Sequence, residues 1–405
     1  MAFRIALSGM NAATSNLGVI SNNIANANTV GFKSSRSEFS ELVTTGSQAL
    51  DSAANGGGVA LRPTRQQHTQ GTIQFTDNAL DLAISGSGFF TIERDGVEQY
   101  TRDGAFQVDA DGYVVTAAGA RLQGFSPLVG GGFNTADLTD LQILSQESAP
   151  QATSEVDATF NLPANAPVTT GTAFSPTDPD SYNHATSVTV YDSLGAPHAA
   201  TLYLSRDTTV NNWTLNLAID GTDVGSPTPL EFDSSGALIN PAGGQIAFTG
   251  LTVGTGTAAQ DIALDLSAIT QFGNEFAVSD ISQNGYENGR LNDVEFTADG
   301  ILQARYSNGQ RLDLGQVALS NFRNLDGLQS DGENAWRATA DAGQVRRGAP
   351  DSGDFGTLRA GALESSNVDL TAQLVEMITA QRSFQANAQV VTTADQITQS
   401  ALNLR

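Results

Sequence analysis

The last forty residues, Ser366 to Arg405, contain neither glycine nor proline. Nothing in such a run stops a helix once it has started. Ser366 or Asn367 is placed to cap it, and Asp369 lies where the helix dipole favours an anion. Leu370, Leu374, Met377, Gln381, Phe384, Ala388 and Val391 follow alternating steps of four and three residues, the spacing of a coiled-coil seam. Asp395 falls at the next seam position, so the stripe shifts there to Ala394, Thr398 and Ala401. At about 1.5 Å per residue the helix is roughly 55 Å long. A seam this thin, with Gln and Ala among its knobs, requires a partner.

The same spacing recurs at the other end of the chain, at Phe3, Leu7, Met10, Thr14, Leu17, Ser21 and Ile24. Gly9 and Gly18 lie off that stripe, although each costs about 1 kcal/mol of helix relative to Ala. Asn26, Asn28 and Gly31 then supply stop signals. The matching stripes predict that the two termini pair, parallel or antiparallel, as one helical element. Periodicity alone is equally compatible with each helix packing on its own β domain.

With 405 residues the chain is long enough for two or three domains, and its 41 glycines suit a β-rich body with many turns. Cysteine is absent, which excludes disulfide and thiol chemistry. Met1–Met10 has one early Arg and no apolar core, so a Sec signal peptide is not expected. No run of about 18 apolar residues is present to span a membrane as a helix. The net charge of −24 is uneven. Between Leu122 and Gly289 the only basic residue is Arg206, against eighteen Asp and Glu. That middle block would repel phosphates, so no nucleic-acid partner is expected, and the plainest reading is a solvated outer face.

Residues 31–71 are polar and contain Asn55-Gly56-Gly57-Gly58, which reads as an extended arm with room for one short helix. From Gly71 the pattern turns β. Gly71–Thr76, Leu80–Ile84, Phe89–Glu93 and Tyr113–Thr116 are short β-prone runs. Three hairpin turns share one chemistry, at Gln107–Val114, Glu231–Leu238 and Glu295–Leu302, with Gly supplying a positive φ. Prolines at 163, 167, 176 and 179 introduce a block with clear alternation in Ser187–Tyr191, Ala200–Leu204 and Trp213–Leu217, which predicts an antiparallel barrel or sandwich. Beyond Gly285 runs of the earlier kind resume, through Gly315–Leu319. The expected fold is therefore multidomain and mainly β with a terminal α-helical coiled coil. Residues 1–30 with 364–405 form the helical part, 31–70 with 350–363 an arm, 71–150 with 285–349 an inner β domain, and 151–284 an outer β domain nested within it.

Catalytic chemistry finds no support. His68, His184 and His198 have no metal-ligand spacing, and no GxSxG elbow marks a nucleophile. Asp109-Ala110-Asp111-Gly112 resembles the start of a calcium loop but lacks its later ligands, and Gly86-Ser87-Gly88 precedes a β run rather than a helix. No catalytic residue, metal or cofactor is expected. A structural or binding role is favoured.

Ser21–Lys33, SNNIANANTVGFK, resembles the N-terminal signature of the bacterial flagellar rod and hook family, with Asn26, Thr29, Gly31, Phe32 and Lys33 as motif positions. Ser366–Asp369 and Ala380–Asn387 resemble the matching C-terminal signature. Gly71–Phe90 and Tyr100–Phe125 resemble the family's inner β domain, with one departure at Ala79, where Pro is expected. Rod members lack a large β insertion. The insertion at 151–284 and the ending Ser400–Arg405 are similar to those of hook-type members.

The resemblance implies an extracellular flagellar subunit that polymerises with copies of itself into a curved hollow tube, the universal joint that carries motor torque from rod to filament. It also implies export through the flagellar type III apparatus without a cleaved leader, and contacts with the distal rod, the hook cap and the hook-filament junction proteins. The expected assembly seam is Leu7, Met10, Leu17, Ile24, Leu370, Leu374, Met377, Phe384 and Val391. Two other readings remain: a distal rod subunit, or a secreted carbohydrate-binding adhesin or enzyme with Tyr182, Tyr191, Tyr203 and Trp213 as a sugar platform.

Overall fold

Two long helices form where the sequence lacks proline and keeps the four-three spacing: α1 (Ala2–Ala25) and α2 (Leu370–Asn403). The computed structural model describes residues 2–42, 56–128, 130–143, 147–169, 173–254 and 256–403. The cap of α2 is Asp369 rather than Ser366 or Asn367. Its Oδ1 accepts from the amides of Thr371 (2.9 Å) and Ala372 (3.1 Å), satisfying two of the donors that a helix start leaves free. Asn367 is drawn away to bind the arm instead. After α1, Asn26 returns its Nδ2 to the carbonyl of Asn22 at 3.0 Å, and the chain leaves the helix through a turn. No helix among the described residues is long and apolar enough to cross a membrane.

The chain divides into two compact units, one made of residues 1–145, 293–305 and 311–405, the other of 146–292 and 306–310. In the first, the described part of the arm carries short strands and no helix. Ser35–Arg36 pairs Arg65–Gln66, and Phe39–Glu41 pairs Val59–Leu61. Part of the predicted arm, 43–55, lies outside the described residues. Two further ribbons, Ile73–Phe75 with Ala362–Glu364 and Leu82–Ser85 with Thr357–Ala360, bring the end of the β region back beside its beginning. The body is a sheet in which Arg121–Phe125, Phe89–Arg94, Val97–Thr101 and Ala335–Ala338 are neighbours. Phe89, Tyr100, Phe322, Trp336 and Ala342 form a buried aromatic cluster against it.

The second unit is two five-stranded sheets around one core. Thr186–Val190 and its neighbours alternate exposed with inward residues because one face of each sheet is wet. Val190, Leu202, Trp213, Leu215 and Leu230 come from one sheet, and Phe160, Leu162, Phe248, Ile262 and Leu264 from the other. The three turns predicted from sequence are present, with φ of +85° at Gly112, +84° at Gly236 and +74° at Gly300.

Candidate assembly site: the helix pair and the joint at its base

The family-motif residues converge on a buried joint. Gly31 has φ +68°, and a Cβ there would lie 2.5 Å from the amide nitrogen of Asp103, so only glycine lets the chain pass this close. Its amide donates to the carbonyl of Glu364 at 2.8 Å. Asn26 and Thr29 shape the turn that leads there, Thr29 Oγ1 donating to Asn26 Oδ1 at 3.2 Å. Phe32 is half-buried beside them.

Lys33, the only lysine in the sequence, is buried at this point. Its Nζ donates to Glu364 Oε1 at 2.7 Å and to the carbonyl of Thr69 at 2.8 Å. The same Oε1 accepts from the amide of Gly71 at 2.7 Å, and Oε2 accepts from Arg102 Nη1 at 3.1 Å. Two cations therefore share one carboxylate away from water. Burial pulls the Lys33 ammonium below its ordinary pKa, with Glu364 opposing, and lowers Arg102 in the same way. His68 stands edge-on to Phe89 and Trp336, with ring centroids 5.7 and 5.5 Å away. Burial, then the charges of Lys33 and Arg102, bring its pKa down to about 4, so it is neutral at pH 7.

Two asparagines tie the helices to this joint. Asn23, 1% exposed, exchanges both hydrogen bonds with the backbone of Ser35, at 2.9 and 2.8 Å, and donates to Gln373 Oε1 at 3.1 Å. Asn367 accepts from Ser34 N at 2.7 Å and donates to the carbonyl of Gln67 at 2.7 Å. Asn23, Arg102 and Glu364 were not among the residues singled out from sequence, and Asn367 was singled out only as a helix cap. The signal that marks the place is the lone lysine inside the motif.

The helices pair antiparallel. Asn23 meets Gln373, and a Cβ on Gly9 would lie 2.8 Å from Asn387 Oδ1, so a step of fourteen residues back along α1 matches a step of fourteen forward along α2. The face of α1 turned inward is Ala6, Gly9, Ala13, Asn16, Ile20 and Asn23, one position back from the stripe read from sequence. Gly9, expected off the seam, lies in it. On α2 the inward line is Gln373, Met377, Ala380, Asn387, Val391 and Ala394. Three of the predicted residues, Met377, Val391 and Ala394, belong to it, and Phe384, still 37% exposed, lies along its edge. The remaining predicted residues point elsewhere. Leu7, Leu370 and Leu374 are 41%, 44% and 50% exposed, and Met10, Leu17 and Ile24 are half-buried. Ile5, Val375, Ile378 and Ile397 are exposed as well. A single chain thus covers a seam of small and carboxamide residues and leaves a second, bulkier apolar surface open.

The other candidates are occupied by structure. Asp109 Oδ1 accepts from the amides of Asp111 and Tyr113, at 2.9 and 2.8 Å, which is turn chemistry. No cluster of metal-ligating side chains occurs among the described residues. Trp213 is fully buried in the core of the second unit, so it cannot serve in a sugar platform, and Tyr182 packs edge-on to Tyr203 at 4.7 Å.

Comparison with known proteins places four family models along the chain. Residues 3–33 match the flagella basal body rod protein model, 83–167 the flagellar hook protein FlgE/F/G D1 domain, 161–286 the flagellar basal body protein FlaE D2 domain, and 359–404 the flagellar basal body rod FlgEFG protein C-terminal model. The flagellar hook protein FlgE of Escherichia coli K12 is 39% identical over 415 residues, covering 100% of both chains. That of Salmonella typhimurium LT2 is 38% identical over 417 residues with the same coverage, and that of Borreliella burgdorferi is 34% identical over 438 residues, covering 98% of each. Among solved structures, the Helicobacter pylori flagellar hook protein FlgE2 shares the fold, with TM-score 0.52 and 15% identity over 72% of this chain and 100% of its own.

Proposed function

Because this chain belongs to the flagellar hook protein family and is a structural subunit of the hook, we propose that its open apolar stripes are the surfaces through which copies of it polymerise. The hook is a curved, flexible tube that transmits torque from the motor to the filament. The observation that carries the assembly reading is the exposure of Leu7 on α1 and of Leu370 and Leu374 on α2, helices whose other face is already satisfied. Neighbouring copies bury it, and burial is worth about 25 cal/mol per Å² of apolar surface. Leu7, Met10, Leu17, Ile24, Leu370 and Leu374, with Phe384 at the edge, are the residues of that contact, and Met377 and Val391 complete the seam within each subunit.

The helices make the inner wall, and residues 31–70 with 350–363 act as an arm between them and the inner β domain. Load passes from helix to β domain through the joint of Lys33, Arg102 and Glu364. The acidic outer domain, 151–284, exchanges water-mediated contacts as the tube bends, at little cost per exchange. The chain leaves the cell through the flagellar type III apparatus, and its end contacts are the distal rod, the hook cap and the hook-filament junction proteins. It has no enzymatic role. Negative-stain microscopy of concentrated protein tests this reading: curved tubes are expected, whereas straight rods or an absence of polymer would contradict it. Deleting 151–284 should leave tubes that form without normal curvature.

A further inference from the structure

Three positions a heptad apart on α1, Gly9, Asn16 and Asn23, face three a heptad apart on α2, Asn387, Ala380 and Gln373. The pairing is complementary at each level. Asn23 donates to Gln373 at 3.1 Å, Gly9 receives the carboxamide of Asn387, which also donates to Ser383 O at 2.9 Å, and the register set by these two contacts puts Asn16 opposite the small Ala380. The flanking residues of α1 are the small Ala6 and Ala13 and one large side chain, the buried Ile20. A heptad slip would still set Ile20 against an apolar side chain of α2, Phe384 in place of Met377, so the three levels decide. A slip one way would set Asn23 over Ala380, as Asn16 now sits, leaving the second amide hydrogen of a buried side chain without its acceptor. It would also drive Asn16 against Asn387, putting a full side chain where glycine now stands. A slip the other way would carry Asn23 beyond the start of α2.

We propose that Asn23–Gln373 and Gly9–Asn387 are a pair of register locks, positioning residues that set how far α1 slides along α2. A buried polar residue in an otherwise apolar seam commonly fixes register at some cost in stability. Asn23 is held to the arm through Ser35, so the lock refers the helix pair to the joint as well as to itself. The consequence reaches the polymer. One heptad of slip shifts the open stripe of α1 against that of α2 by roughly 10 Å, and a neighbouring copy would no longer meet both. This inference rests on the assembly reading above.

The test uses the absence of cysteine in the chain. Asn16→Cys with Ala380→Cys reports the native register, midway between the two locks, and Ala13→Cys with Val391→Cys reports the slipped one. Asn16→Cys removes a side chain that opposes the slip, so the first pair is biased against the native register and not towards it. The second pair lies too far apart in the native register for a disulfide, which needs Cα atoms within about 7 Å. Both pairs are placed in the parental chain and in a Gln373→Leu/Asn387→Ala background, whose substitutions do not lower helix propensity. In oxidised tubes the parental chain should give the first disulfide at least tenfold over the second. Without the locks the second should rise to a comparable yield and tube curvature should become heterogeneous. Tubes without the locks that still give only the first disulfide would overturn the register claim alone. Failure of that background to polymerise, with neither disulfide formed, would assign these contacts to stability and overturn the claim. Parental protein that does not polymerise would overturn the assembly reading and the claim with it.

Discussion

Lys33 and Glu364 are 331 positions apart in the chain, yet their side chains meet at 2.7 Å and are 1% and 0% exposed. The pair joins the segment leaving α1 to the strand that leads into α2. Arg102 supplies a second cation to the same carboxylate, so the two partners are not equivalent. Glu364→Gln would leave both cations without an anion and should cost about 3–5 kcal/mol. Lys33→Met leaves the Arg102 pair intact and should cost clearly less. Urea unfolding followed by Trp336 fluorescence ranks the two. Equal losses would show that Arg102 does not share the carboxylate.

Gly31→Ala places a Cβ against the backbone of Arg102 and Asp103 at φ +68°. Left-handed strain alone is of order 1–3 kcal/mol, and the contact, which no side-chain rotation relieves, adds to it. Gly18→Ala is the control, because a Cβ at Gly18 meets nothing within 4 Å and should raise helix stability. Thermal unfolding of the two variants should move Tm in opposite directions.

The three histidines should titrate in a fixed order. His198 Nδ1 lies 2.6 Å from Asp220 and its Nε2 3.2 Å from Asp192. The Asp220 bond first, and Asp192 with it, raise the His198 pKa above the ordinary 6.5 despite partial burial. Burial lowers His184, and His68 falls to about 4. A raised folded-state pKa contributes stability that is complete below about pH 6.5 and is lost as pH rises through the folded value. The turns held by Asp192 and Asp220 should therefore loosen from about neutral pH upward. His198→Gln should flatten that dependence. Histidine-selective NMR of the full chain reads all three pKa values directly.

How much of this was legible in the sequence differs by element. The helices are legible because proline-free runs with heptad spacing leave little else possible, and the three Asp- and Gly-containing hairpin turns are legible from local chemistry. The shared face of the helices is not. Hydrophobic pattern marks the largest side chains, Leu7 and Leu374 among them, whereas close antiparallel approach selects small ones such as Ala6, Gly9 and Ala13. Of the joint, Gly31 and Lys33 stand out as motif positions. Glu364 and Arg102 do not, because nothing local in Ala362-Leu363-Glu364 indicates that its carboxylate will be buried.

Leu17→Asp, Leu374→Asp and Phe384→Asp place a charge on surfaces that other copies are expected to cover. Leu374 is half exposed in one chain, so Leu374→Asp should leave monomer unfolding unchanged while abolishing polymerisation. In the unassembled parental protein the ends of both helices should exchange amide hydrogens rapidly, since the thin seam between them does not by itself offset the entropy of ordering them. Slow exchange there, or normal tubes from Leu374→Asp, would count against neighbours as the source of order.

A cryo-EM map of the assembled tube at side-chain resolution tests the central claim most directly. Leu7, Leu17, Leu370 and Leu374 should each be buried by side chains of neighbouring copies, with the α1–α2 pair intact inside every subunit. A map in which these residues face water, or in which α1 and α2 separate to pair with different copies, would contradict it.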